Sequence, residues 1–401
     1  MNALKNVLSE NLTLQGMSVQ KTSSKKHLLI LFLFALQITY IGSCKDDDPD
    51  PIGECGVDLL IDWDLYAYAP TPYNLVIPPT LPQTMPIPAN NPLTNEGVSL
   101  GRKLFYDPIL SADSTQSCAS CHNIDMAFSD NGKRFSTGID NIEGKRNAMA
   151  LINLAWTNRL FWDGRSGSLE EQALEPVTNP VEMHNTWEKA VCDLMASKDY
   201  RIDFYKAFGV KEITSTEVTK AIAQFERILI SGGSKFDLAS TPGTGVFFTE
   251  QEDYGFQLFY SETGGDCFHC HGDAGKFFTD NLFHNNGLDN VPTGGQFADI
   301  GLGAVTGIPQ DNGLFRTTTL RNAALTAPYM HDGRFATLEE VLEHYSEHIK
   351  PSPTIDVLMI TDFGGIGKQL SQSDKDALIA FMHTLTDTAF VNNPEFKNPF
   401  E

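Results

Sequence analysis

Basic residues are scarce in this chain: 29 Lys and Arg stand against 51 Asp and Glu, a formal charge of -22. No local basic stripe offsets that field, so a phosphate backbone would be repelled and nucleic acid is excluded as a partner. Such an acidic surface suits a cationic protein such as a small electron carrier, although solubility alone also explains it. A membrane-spanning run is missing too. The apolar stretch Leu28 to Ile41 is shorter than the roughly 17 to 25 residues a bilayer crossing needs. Histidine is absent between Asn123 and Phe161, a gap that matters below.

What is present begins with an export signal. Lys21, Lys25 and Lys26 precede the apolar run, which meets Gly42, Ser43 and Cys44. Residues 1–43 are therefore expected to be a lipoprotein signal peptide, and Cys44 the lipidated first residue of the mature chain. A multiply acylated cysteine anchors a protein stably, so the body is expected to be held at a bacterial membrane, in the periplasm or at the cell surface, through lipid alone. Lys45, Asp46, Asp47 and Asp48 resemble surface-export signals of some Gram-negative lipoproteins, and also simply make a solvated tether. Residues 44–92, rich in Pro and Asp, are expected to form that tether and an extended strap.

The remaining chain repeats itself. Gly101-Arg102-Lys103-Leu104-Phe105-Tyr106 returns as Gly255-Phe256-Gln257-Leu258-Phe259-Tyr260, each followed by C-x-x-C-H. Asp163-Gly164-Arg165 with Ser168-Leu169-Glu170-Glu171 is matched by Asp332-Gly333-Arg334 with Thr337-Leu338-Glu339-Glu340 at the same internal spacing. Ser168 with Glu171, and Thr337 with Glu340, have capping-box spacing and predict a helix start in each half. Arg146-Asn147-Ala148 is set against Arg321-Asn322-Ala323, and amphipathic helices over Glu217–Ile230 and Ser373–Leu385 close the two halves. The expected fold is mostly α, with two tandem cytochrome c-like haem domains related by internal duplication, over residues 93–244 and 245–401.

Cys118-Ala119-Ser120-Cys121-His122 and Cys267-Phe268-His269-Cys270-His271 carry the chemistry. This spacing lets two thiols bond the haem vinyl groups while the adjacent His reaches the iron. Two C-x-x-C pairs can also build a four-cysteine zinc site, but such pairs usually lie far closer in sequence. Two covalently bound haems c are expected, with His122 and His271 as proximal ligands. Whether Cys55 and Cys192 pair is left open.

From about Pro92 to Glu401 the sequence resembles the bacterial diheme cytochrome c peroxidase and MauG family. The resemblance implies that the N-terminal haem (His122) reacts with peroxide and the C-terminal haem (His271) transfers electrons. It is carried further by Phe161-Trp162-Asp163-Gly164-Arg165, Gln172 and Asn179-Pro180-Val181-Glu182-Met183. By that match Trp162 is the relay between the haems, Gln172 and Glu182 are the distal-pocket pair, and Pro176 is a wall of the pocket. A carboxylate there can move the peroxide proton from the inner to the outer oxygen, which makes Glu182 the general acid/base. Asn147, Thr326 and Pro328 match the positions at which the family holds calcium, through oxygen ligands suited to a hard cation.

Two departures separate the sequence from most peroxidases of the family. With no His in the loop after the first haem motif, the reacting haem is expected to keep an open or water-bound sixth site when oxidised, Met126 and Met149 being weaker stand-ins. At the position of the second haem's Met ligand stands Tyr345, as in MauG-like members, with Met330 and His344 as rival ligands. A phenolate ligand lowers the potential relative to Met. His331 aligns with Trp162 across the repeat and is expected to be structural.

The function expected is reduction of hydrogen peroxide at the first haem, with electrons from a small cytochrome c, a cupredoxin or a quinol-linked protein entering through the second. The alternatives are MauG-like, peroxide-dependent oxidation of a protein or organic substrate, and a diheme electron-transfer protein without catalysis. The last is disfavoured, because a carrier needs neither an open coordination site nor a pocket glutamate.

Overall fold

Two pairs of crossing helices organise the chain, and each pair meets at a glycine. The computed structural model describes residues 55, 60–272, 276–360 and 366–401; the signal peptide, Cys44 and most of the tether up to residue 59 lie outside the described residues. Thr94 caps helix Asn95–Tyr106, its hydroxyl accepting from the Gly97 amide, and the helix buries Val98, Leu100, Leu104 and Phe105. It packs on helix Ser215–Arg227, where a Cβ on Gly101 would stand 1.9 Å from the Ala221 carbonyl oxygen. In the second half, Thr249 and Glu252 form a capping box at the start of helix Glu250–Phe259. That helix packs on Gln372–His383, and a Cβ on Gly255 would again stand 1.9 Å from a carbonyl oxygen, that of Ala377. Only glycine lets the backbones approach this closely.

The closing helices end sooner than their apolar spacing suggests, at Arg227 and His383, because their last turns tighten: Leu229 N–H donates to Glu226 O. Leu229 and Leu385 stay fully buried beyond the helices, so the spacing reports packing rather than helix length. The expected starts at 168 and 337 are present, with Ser168 and Thr337 hydroxyls accepting from the Glu171 and Glu340 amides. Both glutamates reach one residue past the cap, accepting from Gly167 and Ala336 amides.

The architecture is mostly α. Its named strands are two residues each: Phe283–His284 pairs antiparallel with Phe315–Arg316. Phe105, Phe128, Phe225 and Leu229 centre one core and Leu104, Val177, Leu194 and Phe204 a second; both belong to the first half. Phe236, Phe259, Phe278, Leu378 and Phe381 form that of the second. At roughly 1.5 to 3 kcal/mol per buried large apolar side chain, these clusters dominate the favourable side of folding.

Residues 51–401 form one compact unit. Phe390 and Phe396, near the C-terminus, pack into the first half's core, and Arg102 donates to Pro394 and Lys397 carbonyls. The strap is tied in as well. Cys55 is disulfide-bonded to Cys192, and Thr80 Oγ1 donates to Asp237, whose carboxylate also holds the buried Arg321 at 2.8 and 2.9 Å.

One expected correspondence is corrected. Asn322 is matched by Asn153, not by Asn147: both are left-handed and start a 3-10 turn, Leu154–Trp156 or Ala323–Leu325. Both also reach Ser231, Asn153 through its carbonyl and amide, Asn322 through its hydroxyl. The identical Arg-Asn-Ala triplets stand at different distances from the Asp-Gly-Arg that follows, 17 residues for Arg146 to Asp163 and 11 for Arg321 to Asp332, so they do not occupy equivalent places.

Candidate active site

Each C-x-x-C-H sits in a short helical turn directly after its half's first crossing helix. Cys118–Ser120 is a 3-10 turn, and Phe268–His271 one helical turn. His122 Nδ1–H donates to Phe128 O at 2.8 Å, and His271 Nδ1–H to Phe278 O at 3.0 Å. Those carbonyls are aimed by unusual backbone: Phe128 and Phe278 are both fully buried with φ of 61° and 54°. Fixing Nδ1 in this way leaves Nε2 as the metal-binding nitrogen.

The residues fit haem c. All four motif cysteines are free of disulfides, whereas Cys55 and Cys192 are bridged. Burial pushes the Cys121 thiol up to about 11 and the Cys267 and Cys270 thiols up to about 12. A redox-active C-x-x-C favours a thiolate stabilised near neutral pH, and burial acts the opposite way on these thiols. A zinc site joining the two pairs is excluded among the described residues, because the pairs do not converge on one point. The one convergent trio, Cys270, Asp280 and His284, has no lone pair on its imidazole. His284 donates from Nδ1 to Asp356 at 2.5 Å and from Nε2 to Asp280 at 2.8 Å, which lifts it to about 9.

Glu182 lies in the turn after helix Leu174–Thr178. Its amide donates to Asn179 O, and its carbonyl accepts from Ile139 N–H. Gly138 permits that approach, since a Cβ there would stand 2.4 Å from Val181 O. Burial raises the Glu182 carboxyl above its ordinary value, opposed by Asn179 Nδ2, which donates to Oε1 at 2.6 Å, and by Arg165. Its charge is felt at both Cys118 and Cys121. Gln172 ends helix Leu169–Gln172, half-buried, and Pro176 lies on the next helix.

Trp162, Asn147, Thr326 and Pro328 line one cleft, together with Met149 and Arg316. Trp162 Nε1–H donates to Asn147 O at 2.8 Å, Asn147 N–H donates to His331 O at 2.7 Å, and Trp162 meets the His331 ring edge-on at 6.4 Å. His331 is itself stacked on Phe315 with centroids 3.6 Å apart. Asn147 Nδ2 donates to Lys133 O and Arg134 O, so its Oδ1 is left facing away from those partners. Among the described residues, the main-chain oxygens of Thr326 and Pro328 accept no hydrogen bond.

Tyr345 lies in a π-helical turn, His344–His348, a distortion frequent at functional sites. Asn286 Nδ2 donates to Tyr345 Oη at 2.9 Å and also meets Met330 Sδ at 3.4 Å. His344 is committed to the main chain of the same residue, its Nε2–H donating to Asn286 O at 3.0 Å. Burial is the main cause lifting the Tyr345 phenol to about 12, and the Cys267 and Cys270 thiols add to it. Asn286 and Arg316 escaped the sequence reading; neither lies in a motif, and only the folded chain brings them to these sites.

A family model described as di-haem cytochrome c peroxidase matches residues 95–242. The methylamine utilization protein MauG of Methylorubrum extorquens is 36% identical over 76% of this chain and 82% of its own. A cytochrome c551 peroxidase of Nitrosomonas europaea is 34% identical over 78% of this chain and 86% of its own. The crystal structure of a MauG-like protein associated with microbial copper homeostasis superposes with a TM-score of 0.70 at 34% identity, covering 85% of this chain and 100% of that one. The chain belongs to the di-haem cytochrome c peroxidase and MauG family, and is a peroxidase-type oxidoreductase of the kind that carries two haems c.

Proposed function

We propose that the chain reduces hydrogen peroxide in its first half, with electrons from a small donor protein entering through the second. Cys118, Cys121 and His122, and Cys267, Cys270 and His271, would each hold a haem, which would supply redox-active iron for peroxide reduction and electron relay. Glu182 is the residue that moves the proton. Its buried carboxyl keeps a proton to higher pH than a solvated one, and with Oε1 held by Asn179 the other oxygen is left to exchange it with the peroxide. Gln172 orients the peroxide and Pro176 closes the pocket wall.

Trp162 relays electrons between the halves, its indole N–H anchored on Asn147 and its edge on His331. Tyr345 Oη, steadied by Asn286, would be the phenol oxygen offered to the second haem's iron. Asn147 Oδ1 with the Thr326 and Pro328 carbonyls offers calcium the uncommitted oxygens it favours. The matched helix crossings at Gly101 and Gly255 support an internal duplication giving domains 93–244 and 245–401. Cys44, outside the described residues, is the proposed lipid anchor that holds the body in the periplasm or at the cell surface; among the described residues no helix is long and apolar enough to cross a membrane.

A second reading, peroxide-dependent oxidation of a protein substrate, is favoured by Tyr345 and by the missing His between Asn123 and Phe161. The single observation carrying the peroxide chemistry is the half-buried Glu182, whose charge reaches the Cys118 and Cys121 thiols. Glu182→Gln is expected to slow peroxide consumption by roughly 10²- to 10⁴-fold while leaving the visible spectrum intact. An unchanged rate would remove Glu182 from the reaction.

A further inference from the structure

Every other deeply buried arginine here meets a carboxylate. Arg321 holds Asp237 and Arg227 holds Glu170, and the half-buried Arg146 holds Asp163 and Asp299. Arg316 is 6% exposed and has no ion-pair partner among the described residues. Among the described residues its side chain makes two long contacts, Nε to Phe161 O at 3.4 Å and Nη2 to Met149 Sδ at 3.7 Å. A guanidinium this buried and without an anion is strongly destabilised. Something outside the protein chain must therefore answer this charge.

The surroundings say what. Arg316 lines the cleft shared by Trp162 and Asn147, and no Asp or Glu lines that cleft in a protein of net charge -22. Met149 and Thr318 line it too, and their main chains are close enough to act electrostatically on the His122 and His271 imidazoles respectively. The cleft thus adjoins both proximal histidines, and haem is the one group expected there that carries flexible carboxylates. Arg316 N–H also donates to Trp162 O at 2.9 Å, so whatever the guanidinium holds is tied to the loop bearing the relay.

We infer that Arg316 is the seat of a haem propionate, bound through the free face of its guanidinium fork. The fork geometry suits a carboxylate bidentately. Burial lowers the guanidinium to about 10, the strain expected of a cation awaiting its anion. The inference rests on the haem-attachment reading, so the test begins by counting haems.

The holoprotein, Arg316→Gln and Arg316→Lys are compared by pyridine haemochrome content, one-electron midpoint potentials and the propionate bending bands in resonance Raman spectra. Two haems in each protein, with a lowered midpoint for one couple in Arg316→Gln and a shifted propionate band, is the expected result. The reduction equilibrium should move at least tenfold toward ferric iron, because a nearby positive charge is lost. Arg316→Lys should hold the potential close to that of the native protein but still shift the band, which decides the matter if the Gln variant does not fold. Unchanged potentials and bands in the variants would mean a guanidinium solvated by water or paired with another anion, and would overturn the proposal. Fewer than two haems in the native protein would overturn the attachment reading along with it.

Discussion

Replacing Gly255 with Ala sets two known effects against each other. Alanine in a helix interior is favoured over glycine by about 1 kcal/mol. Against this, the new Cβ would meet the Ala377 carbonyl oxygen at 1.9 Å and Phe381 Cβ at 2.9 Å. A carbonyl inside a helix cannot rotate away, so the helices must separate by about 1.5 Å to restore ordinary contact. That separation loosens the ring cluster of Phe256, Phe259, Phe278 and Phe381, whose centroids lie 5.3 to 6.2 Å apart around Phe381. Overpacking costs about 1 to 3 kcal/mol before lost ring contacts are added, so the steric effect wins by roughly 1 to 2 kcal/mol. Gly144→Ala is the control, because its nearest neighbour would stand at 3.7 Å. In urea unfolding of the holoprotein, Gly255→Ala should lose stability and Gly144→Ala should change little. A Gly255→Ala protein as stable as the native one would refute the close-approach account of the crossing.

Glu226 and Tyr345 give further tests. Glu226 is buried on helix Ser215–Arg227 with Oε2 unpartnered, and burial chiefly lifts its carboxyl to about 8. The folded state therefore binds an extra proton between the unfolded value of 4.5 and 8, so stability is full below 4.5 and falls as pH rises through 8. The loss is at most about 5 kcal/mol at 1.36 kcal/mol per unit, and Glu226→Gln should flatten the pH dependence of urea unfolding between pH 5 and 9. An equal slope in the variant would contradict the assignment. Tyr345→Phe should alter the spectrum of the second haem and raise its potential, since an anionic ligand is lost. Spectroelectrochemistry showing neither change would pass the ligand role to Met330, which shares Asn286.

Local patterns were legible because their physics is local. Cys118-x-x-Cys121-His122 needs only its own turn, and Ser168 and Thr337 announce helix starts through bonds three residues long. Both haem motifs, the mostly α architecture and the family followed from such segments. What stayed hidden joins distant positions. The Cys55–Cys192 bridge spans 137 residues, and Asp237 finds Arg321 across 84. Asn286 acquires meaning only once Tyr345 and Met330 are folded against it, and the role of Arg316 depends on an absent carboxylate. The misplaced match of Asn322 with Asn147 has the same origin: identical triplets carry no record of φ, whereas Asn153 and Asn322 share a left-handed backbone at 56° and 59°.

We propose that the first half binds peroxide at a centre left open by the missing histidine. Stopped-flow absorbance of the fully oxidised holoprotein mixed with hydrogen peroxide, without prior reduction, tests it most directly. The account predicts an immediate spectral change of the first haem. No reaction until the second haem is reduced would show a hidden sixth ligand and contradict it.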